Sequence, residues 1–149
     1  MIHIRSSGKP PAVDSKLIER AARAVLVHQS VEGDLSVVLT DDSQLQELNR
    51  EYLGIDAPTD VLSFPASETE PESGQAYLGD ILISVPRAAE QAEAAGHPLS
   101  SEVQLLVVHG VLHLLGHDHS TTEEKSRMWA AQSAILESIG LADIEIRES

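Results

Sequence analysis

The chain has 149 residues, and its 24 acidic and 10 basic side chains give a formal net charge of −14 at pH 7. This length predicts a single domain, residues 1–149, that is large enough to bury a core, and the acidic balance argues against broad electrostatic binding to nucleic acid. No cysteine is present, which excludes disulfides and thiolate metal ligands, so a transition metal would have to be bound by His together with Asp or Glu.

The first half of the chain predicts two strands and two helices in alternation. The strands are expected at residues 1–5 and 35–40, and the helices at about 14–28 and about 42–52. Apolar alternation or a continuous apolar run indicates the strands, and apolar side chains at helical spacing indicate the helices. Asp14 or Ser15 can cap the first helix, and one of residues 41–43 can cap the second. The N-terminus has no apolar segment of signal-peptide length and no stretch approaches a membrane span, which favours a cytoplasmic protein.

The second half predicts two further strands and three helices. The strands are expected at 61–64 and 77–84, and the helices at 86–95, about 99–115 and about 122–139. A polar surface loop is expected at 67–75, and an edge strand or frayed tail at 141–149. The run Leu105–Val108 is apolar around most of its helix, which predicts a helix buried within the domain. Ser120, Thr121 and Thr122 compete to cap the last helix. Together the elements predict an α+β domain with a small mixed sheet of about four strands packed with helices.

The stretch from His109 to His119 holds four of the seven histidines. His109 and His113 lie one helical turn apart, so both imidazoles can point into one site. Gly116 is placed to end the helix, and His119 can then return from the loop as a third ligand. Three histidines with a fourth position open to water form the arrangement of catalytic zinc, which lowers the pKa of bound water to roughly 7.

The spacing of these histidines matches the metzincin pattern, in which a Glu after the first His is the general base. It adds a zincin-like metal site on the buried helix to the predicted α+β fold. Here the position of that Glu is Gly110, so the general base is missing, which argues against peptide hydrolysis. The glycine also leaves room for a bulky substrate or for close backbone approach. His117 competes with His119 as the third ligand and otherwise lines the pocket. Asp118, the candidate catalytic residue, could orient an imidazole or a bound water, or be an ordinary loop carboxylate. The alternative to a metal site is that the histidines are core or capping residues.

The segment from His109 to His119 resembles the signature of the YbeY family, the bacterial endoribonucleases of ribosomal RNA maturation. Leu48–Asn49, the run from Asp56 to Pro65, and Leu78–Ile81 resemble further segments of that family in the same order. The resemblance implies a four-stranded α+β fold, one zinc held by His109, His113 and His119, and cleavage of single-stranded RNA. It also implies roles in maturing the small-subunit ribosomal RNA and in ribosome quality control.

This sequence departs from the family at two positions. Family members often carry an Arg, thought to help the reaction on phosphate, where Leu53 stands. Arg50 or Arg87 could substitute for it, or both could be ordinary surface charges. His117 stands where the family frequently has Tyr. The net charge of −14 further suggests that the ribosome or a protein partner presents the RNA.

Further candidates for the substrate cleft lie in or next to the third and fourth predicted strands. Thr59, Asp60 and Ser63 could line the cleft, or the first two could only cap the turn into the strand. Asp80 could lie on an edge strand beside the cleft, or face water. Two other functions remain open beside the endoribonuclease: a metal-dependent hydrolase of a peptide or amide bond, and a ribosome-associated factor with a structural zinc, which would need a fourth protein ligand.

Overall fold

The computed structural model describes residues 2–6, 13–57, 59–66, 77–117 and 121–141. Within these ranges it contains four strands and five helices. In chain order they are β1 (Ile2–Ser6), α1 (Ser15–Gln29), β2 (Asp34–Thr40), α2 (Asp42–Leu53), β3 (Val61–Pro65), β4 (Tyr77–Ser84), α3 (Val85–Ala95), α4 (Leu99–Leu114) and α5 (Thr122–Ser138). The predicted elements are therefore confirmed in type and order. The predicted loop at 67–75 and the tail from 142 onwards lie outside the described residues.

The four strands form one mixed sheet in the order β1-β2-β4-β3. β1 pairs with β2 and β2 with β4 in parallel, whereas β3 pairs with β4 in antiparallel orientation. The predicted small mixed sheet is confirmed. Strands β1 and β3 are its edges, and β3 packs directly against helix α4. Strands β3 and β4 are thus the part of the sheet that reaches the histidine helix.

Helix starts follow the capping residues that the sequence offers. The side chain of Asp14 accepts a hydrogen bond from the backbone N of Lys16, and that of Asp41 accepts one from Gln44. Of the three candidates for α5, Thr121 is the cap, and its hydroxyl oxygen accepts from the backbone N of Glu124 at 3.1 Å. Each such bond satisfies a backbone donor that the first helical turn leaves without a partner.

Helix α4 is the centre of the domain. It packs against α1, α3 and α5 and against strands β3 and β4. Every residue from Glu102 to Leu112 is buried, so the helix is enclosed around its whole circumference, as the continuous apolar run predicts. A side chain on this helix is therefore held by neighbours on all sides, which is the environment that fixes ligand geometry. None of the described helices is both long and apolar enough to cross a membrane.

Candidate metal centre

His109 and His113 converge as their spacing predicts. Their Nε2 atoms are 3.0 Å apart, and the two rings meet edge to face with centroids 4.5 Å apart. His109 is buried, with 5% of its surface exposed, while His113 is partly exposed. The two ring nitrogens thus meet at the boundary between the core and a cleft.

The geometry of this pair fits two positions of a zinc site. In a tetrahedral site with Zn–N distances of about 2.0–2.1 Å, two ligand nitrogens lie about 3.3 Å apart. The 3.0 Å between the Nε2 atoms of His109 and His113 is close to that separation. Among the described residues no group of three or more His, Asp or Glu side chains is placed to hold a metal. The predicted third ligand, His119, and the candidate Asp118 lie outside the described residues, so their roles stay predictions.

The helix ends directly behind this pair, as expected from Gly116. Gly116 has a φ of +99°, a conformation that favours glycine. Its backbone N donates to the carbonyl of His113 at 3.0 Å, and the N of His117 donates to that of Leu112 at 3.0 Å. These two bonds form a Schellman motif, which satisfies the last carbonyls of α4 and turns the chain.

Gln132 is a member of this site that the sequence reasoning missed. Its Oε1 lies 3.2 Å from Nδ1 of His109, across 23 positions of sequence. Gln132 is fully buried on α5, in helical spacing with the buried residues Met128, Ile135 and Leu136. A polar residue on an apolar helix face was the signal that could have identified it.

A cleft of about 360 Å³ opens in front of the two histidines. It is lined by Leu53, Thr59, Asp60, Val61, Leu62, Ser63, His109 and His113. The structure therefore brings three predicted cleft residues, Thr59, Asp60 and Ser63, together with the histidine pair. The Ser63 hydroxyl donates to the carbonyl of Gly110 at 2.9 Å, and the Asp60 carboxylate accepts from Nε2 of Gln91 at 3.3 Å.

Gly110 faces packed side chains of the sheet. A Cβ at this position would lie 2.9 Å from Cγ2 of Ile81 and 3.3 Å from both Ser63 Oγ and Val61 Cγ2. Of the two expectations for this glycine, room for a bulky substrate is therefore wrong, and close approach to the backbone is confirmed. The glycine allows the sheet to pack closely on α4, and a Glu in its place would be directed into packed side chains. The general base of a metzincin peptidase has no room at this position.

Asp80 is not a cleft residue, and the prediction that it lies on an edge strand is wrong. Strand β4 is an inner strand of the sheet, and Asp80 pairs with Ser36 on one side and Phe64 on the other. Its neighbour Ile81 faces α4, so Asp80 points to the opposite face of the sheet. There it accepts a hydrogen bond from the hydroxyl of Tyr77. Burial and the bond to Asp80 together raise the pKa of Tyr77.

His117 also lies apart from the histidine pair. Its Nε2 is 2.7 Å from Oε1 of Gln29 on α1, and it does not line the cleft. The expectation that His117 lines the metal pocket is therefore wrong, and it does not compete as a ligand of the pair. Burial is the main cause that lowers the pKa of His117, assisted by the positive charge of Arg127.

Neither candidate arginine reaches the cleft. Arg87 donates two hydrogen bonds to Asp42, from Nε at 2.8 Å and from an Nη at 2.9 Å, so it stabilises the junction of α2 and α3. Arg50 is exposed on α2 and is absent from the cleft lining, whereas Leu53 lies in it. Among the described residues the cleft lining contains no Lys or Arg. The proposed substitution of either arginine for the missing one is not supported by their positions.

The sequence model of the family described as Endoribonuclease YbeY matches residues 7–140. The chain belongs to the YbeY family. Among its relatives, the Endoribonuclease YbeY of Moorella thermoacetica is 47% identical over 133 residues, covering 83% of this chain and 85% of the relative. That of Persephonella marina is 42% identical over 130 residues, covering 86% of this chain and 85% of the relative.

A solved structure extends the comparison beyond sequence. The solution structure of TM1509 from Thermotoga maritima matches with a TM-score of 0.58 and 26% identity, and each chain is covered completely. The single α+β domain with its four-stranded mixed sheet is therefore shared with a natural protein of known structure. The resemblance of the histidine stretch to YbeY is confirmed at the level of the family.

Proposed function

We propose that this protein is a zinc-dependent endoribonuclease that cleaves single-stranded RNA. The observation that carries the proposal is the convergence of the His109 and His113 Nε2 atoms, 3.0 Å apart at a cleft, in a chain of the YbeY family. The relatives are named endoribonucleases, which supports RNA as the substrate class. Maturation of small-subunit ribosomal RNA and ribosome quality control, in the cytoplasm, are the roles that fit this activity.

His109, His113 and His119 would hold one zinc ion per chain. When bound, zinc supplies Lewis-acid stabilisation of negative charge on a phosphodiester and activates water as a nucleophile. The buried helix α4 carries His109 and His113 and would hold them in place for this role. The cleft wall is set by strand β3, because Ser63 is hydrogen-bonded to the carbonyl of Gly110. Asp118 is the candidate for orienting an imidazole or a water.

The negative charge of the chain weakens its binding of RNA. The described cleft lining contains the carboxylate of Asp60 and no Lys or Arg, and the whole chain carries a formal charge of −14. Both repel phosphate, so binding energy from the protein alone would be small at physiological salt. We therefore assign presentation of the RNA to the ribosome or to a protein of the small subunit. Free RNA should be a poor substrate, cleaved at high enzyme concentration.

The proposal is tested by incubating the protein with a single-stranded ribosomal RNA fragment and with the same fragment annealed to its complement. Cleavage of the single strand should stop on addition of a chelator and return with zinc. The His113→Ala variant should be inactive, while His28→Ala, which removes an exposed histidine on α1, should cleave normally. Cleavage that survives both the chelator and His113→Ala would contradict the proposal and indicate a contaminating nuclease.

A further inference from the structure

Gln132 is a polar residue on the buried face of α5. It is 0% exposed, and its Nε2 has no hydrogen-bond partner among the described residues. A buried amide that is only half satisfied destabilises a fold relative to an apolar side chain of similar size. Packing alone therefore does not account for a glutamine between Met128 and Ile135.

The contact of Gln132 with His109 defines the state of the imidazole. An amide oxygen can only accept a hydrogen bond, so the 3.2 Å contact between Oε1 and Nδ1 of His109 is a hydrogen bond when Nδ1 carries the proton. A neutral imidazole has one ring N–H, and Nε2 of His109 therefore keeps its lone pair. This lone pair belongs to the atom that lies 3.0 Å from Nε2 of His113.

We propose that Gln132 is the positioning residue of the site: it holds His109 as the Nδ1–H tautomer and turns the Nε2 lone pair toward Nε2 of His113. The inference rests on the proposed function, because that lone pair is the one a zinc ion would bind. Without an acceptor at Nδ1, the proton can move to Nε2, where it blocks the ligand atom, and the ring loses the hydrogen bond that fixes its orientation. Partners of this kind typically contribute about 10- to 100-fold to metal affinity.

The tautomer is measured directly from the ring ¹⁵N shifts of the metal-free protein at about pH 8, where an ordinary histidine is neutral. In the wild type, His109 should be protonated on Nδ1. The Gln132→Leu variant removes the acceptor and should show His109 as a mixture of both tautomers. The Gln132→Glu variant restores an acceptor and should return His109 to the wild-type tautomer. A role of Gln132 in packing alone would leave these shifts unchanged.

Zinc affinity is the second readout, measured by competition with a chromophoric chelator. Gln132→Leu should weaken binding by about 10- to 100-fold, and Gln132→Glu should retain the wild-type affinity. Gln104→Leu is the matched control, since Gln104 is also buried at 3% exposure but is bonded to Arg20 and to the carbonyl of Ser100. That variant should bind zinc as the wild type does.

The inference is overturned if Gln132→Leu keeps both the wild-type tautomer and the wild-type zinc affinity. It is also overturned if His109 of the wild type carries its proton on Nε2, a result that needs no variant and so does not depend on the Leu protein folding. These outcomes differ from failure of the proposed function. A wild-type protein that binds no zinc would contradict the function, while the tautomer measurement would still test the role of Gln132.

Discussion

The hydroxyl of Ser63 donates a 2.9 Å hydrogen bond to the backbone carbonyl of Gly110, and this bond joins strand β3 to helix α4 one residue after His109. The contact requires the strand and the helix to approach closely, which only a glycine at position 110 allows. Gly110 thereby lets strand β3 pack as the wall of the cleft, and it also leaves the site without a peptidase general base. The fold and the chemistry of this site have the same local cause.

Gly110→Ala is expected to destabilise the protein. The added methyl would meet Cγ2 of Ile81 at 2.9 Å, and this β-branched, fully buried side chain cannot move aside easily. Overpacking costs about 1–3 kcal/mol, while replacing a mid-helix glycine gains about 1 kcal/mol, so a net loss on the order of 1 kcal/mol is expected. Urea unfolding of the metal-free protein measures it.

The control for this substitution is Ser126→Ala, on the exposed surface of α5. It adds helix propensity without overpacking and should leave the free energy of unfolding unchanged or slightly higher. If Gly110→Ala were as stable as the wild type, the close packing of sheet and helix would not be the reason for glycine at this position.

Leu53→Arg is expected to increase cleavage of free single-stranded RNA. Leu53 lines the cleft with the histidine pair and is 57% exposed, so an arginine there would place a positive charge in the cleft where RNA phosphates would bind. The value of kcat/KM should rise, and its dependence on salt should become steeper by roughly 0.7 in log–log slope for one added phosphate contact. Leu53→Gln, long and polar but uncharged, is the control. An equal rise with Gln would show that charge is not the cause.

The Asp42–Arg87 pair is expected to make a small, pH-dependent contribution to stability. Hydrogen bonds from Arg87 lower the pKa of Asp42. The contribution is therefore present above the unfolded-state pKa of about 3.9 and is lost as the pH falls through the lower folded-state value. Because the two side chains are 36% and 31% exposed, Asp42→Asn should cost under about 1 kcal/mol at pH 7.

The free energy of unfolding of wild type and Asp42→Asn should converge as the pH is lowered below about 4. Glu47→Gln, which removes an exposed charge from the same helix, should stay within about 0.5 kcal/mol of the wild type. A difference for Asp42→Asn that persists unchanged into acid would mean that the carboxylate charge is not what stabilises this junction.

Thr121→Ala is expected to destabilise helix α5. The substitution removes the hydroxyl that accepts from the backbone N of Glu124 at 3.1 Å, which typically costs about 1 kcal/mol. Thr122→Ala changes the neighbouring threonine, which lies in the first turn and is not the cap, and should cost less. Thermal unfolding of both variants separates the cap from a general effect of losing a threonine. Equal losses would contradict the assignment of Thr121.

Much of the fold was predictable because its signals are local. Asp14, Asp41 and Thr121 cap helices through bonds to residues two or three positions away, and the apolar run before His109 is enough to predict a buried helix. The histidine pair was predictable for the same reason, since a helix places residues four apart on one face.

What escaped prediction depends on contacts between distant segments. The strand order made β4 an inner strand, which removed Asp80 from the cleft, and no local pattern specifies that order. His117 contacts Gln29, 88 positions earlier, and Gln132 contacts His109 from the next helix. Each of these contacts depends on how whole helices pack against each other, and the spacing of apolar residues in the sequence does not predict that packing.

The most direct test of the account is a zinc titration of chelator-treated protein by calorimetry, with His113→Ala and His28→Ala beside the wild type. The wild type and His28→Ala should each bind one zinc per chain. His113→Ala should lose that binding, because one of the two converging Nε2 atoms is gone. If His113→Ala binds zinc with the stoichiometry and affinity of the wild type, the histidine pair is not a metal site and the central claim fails.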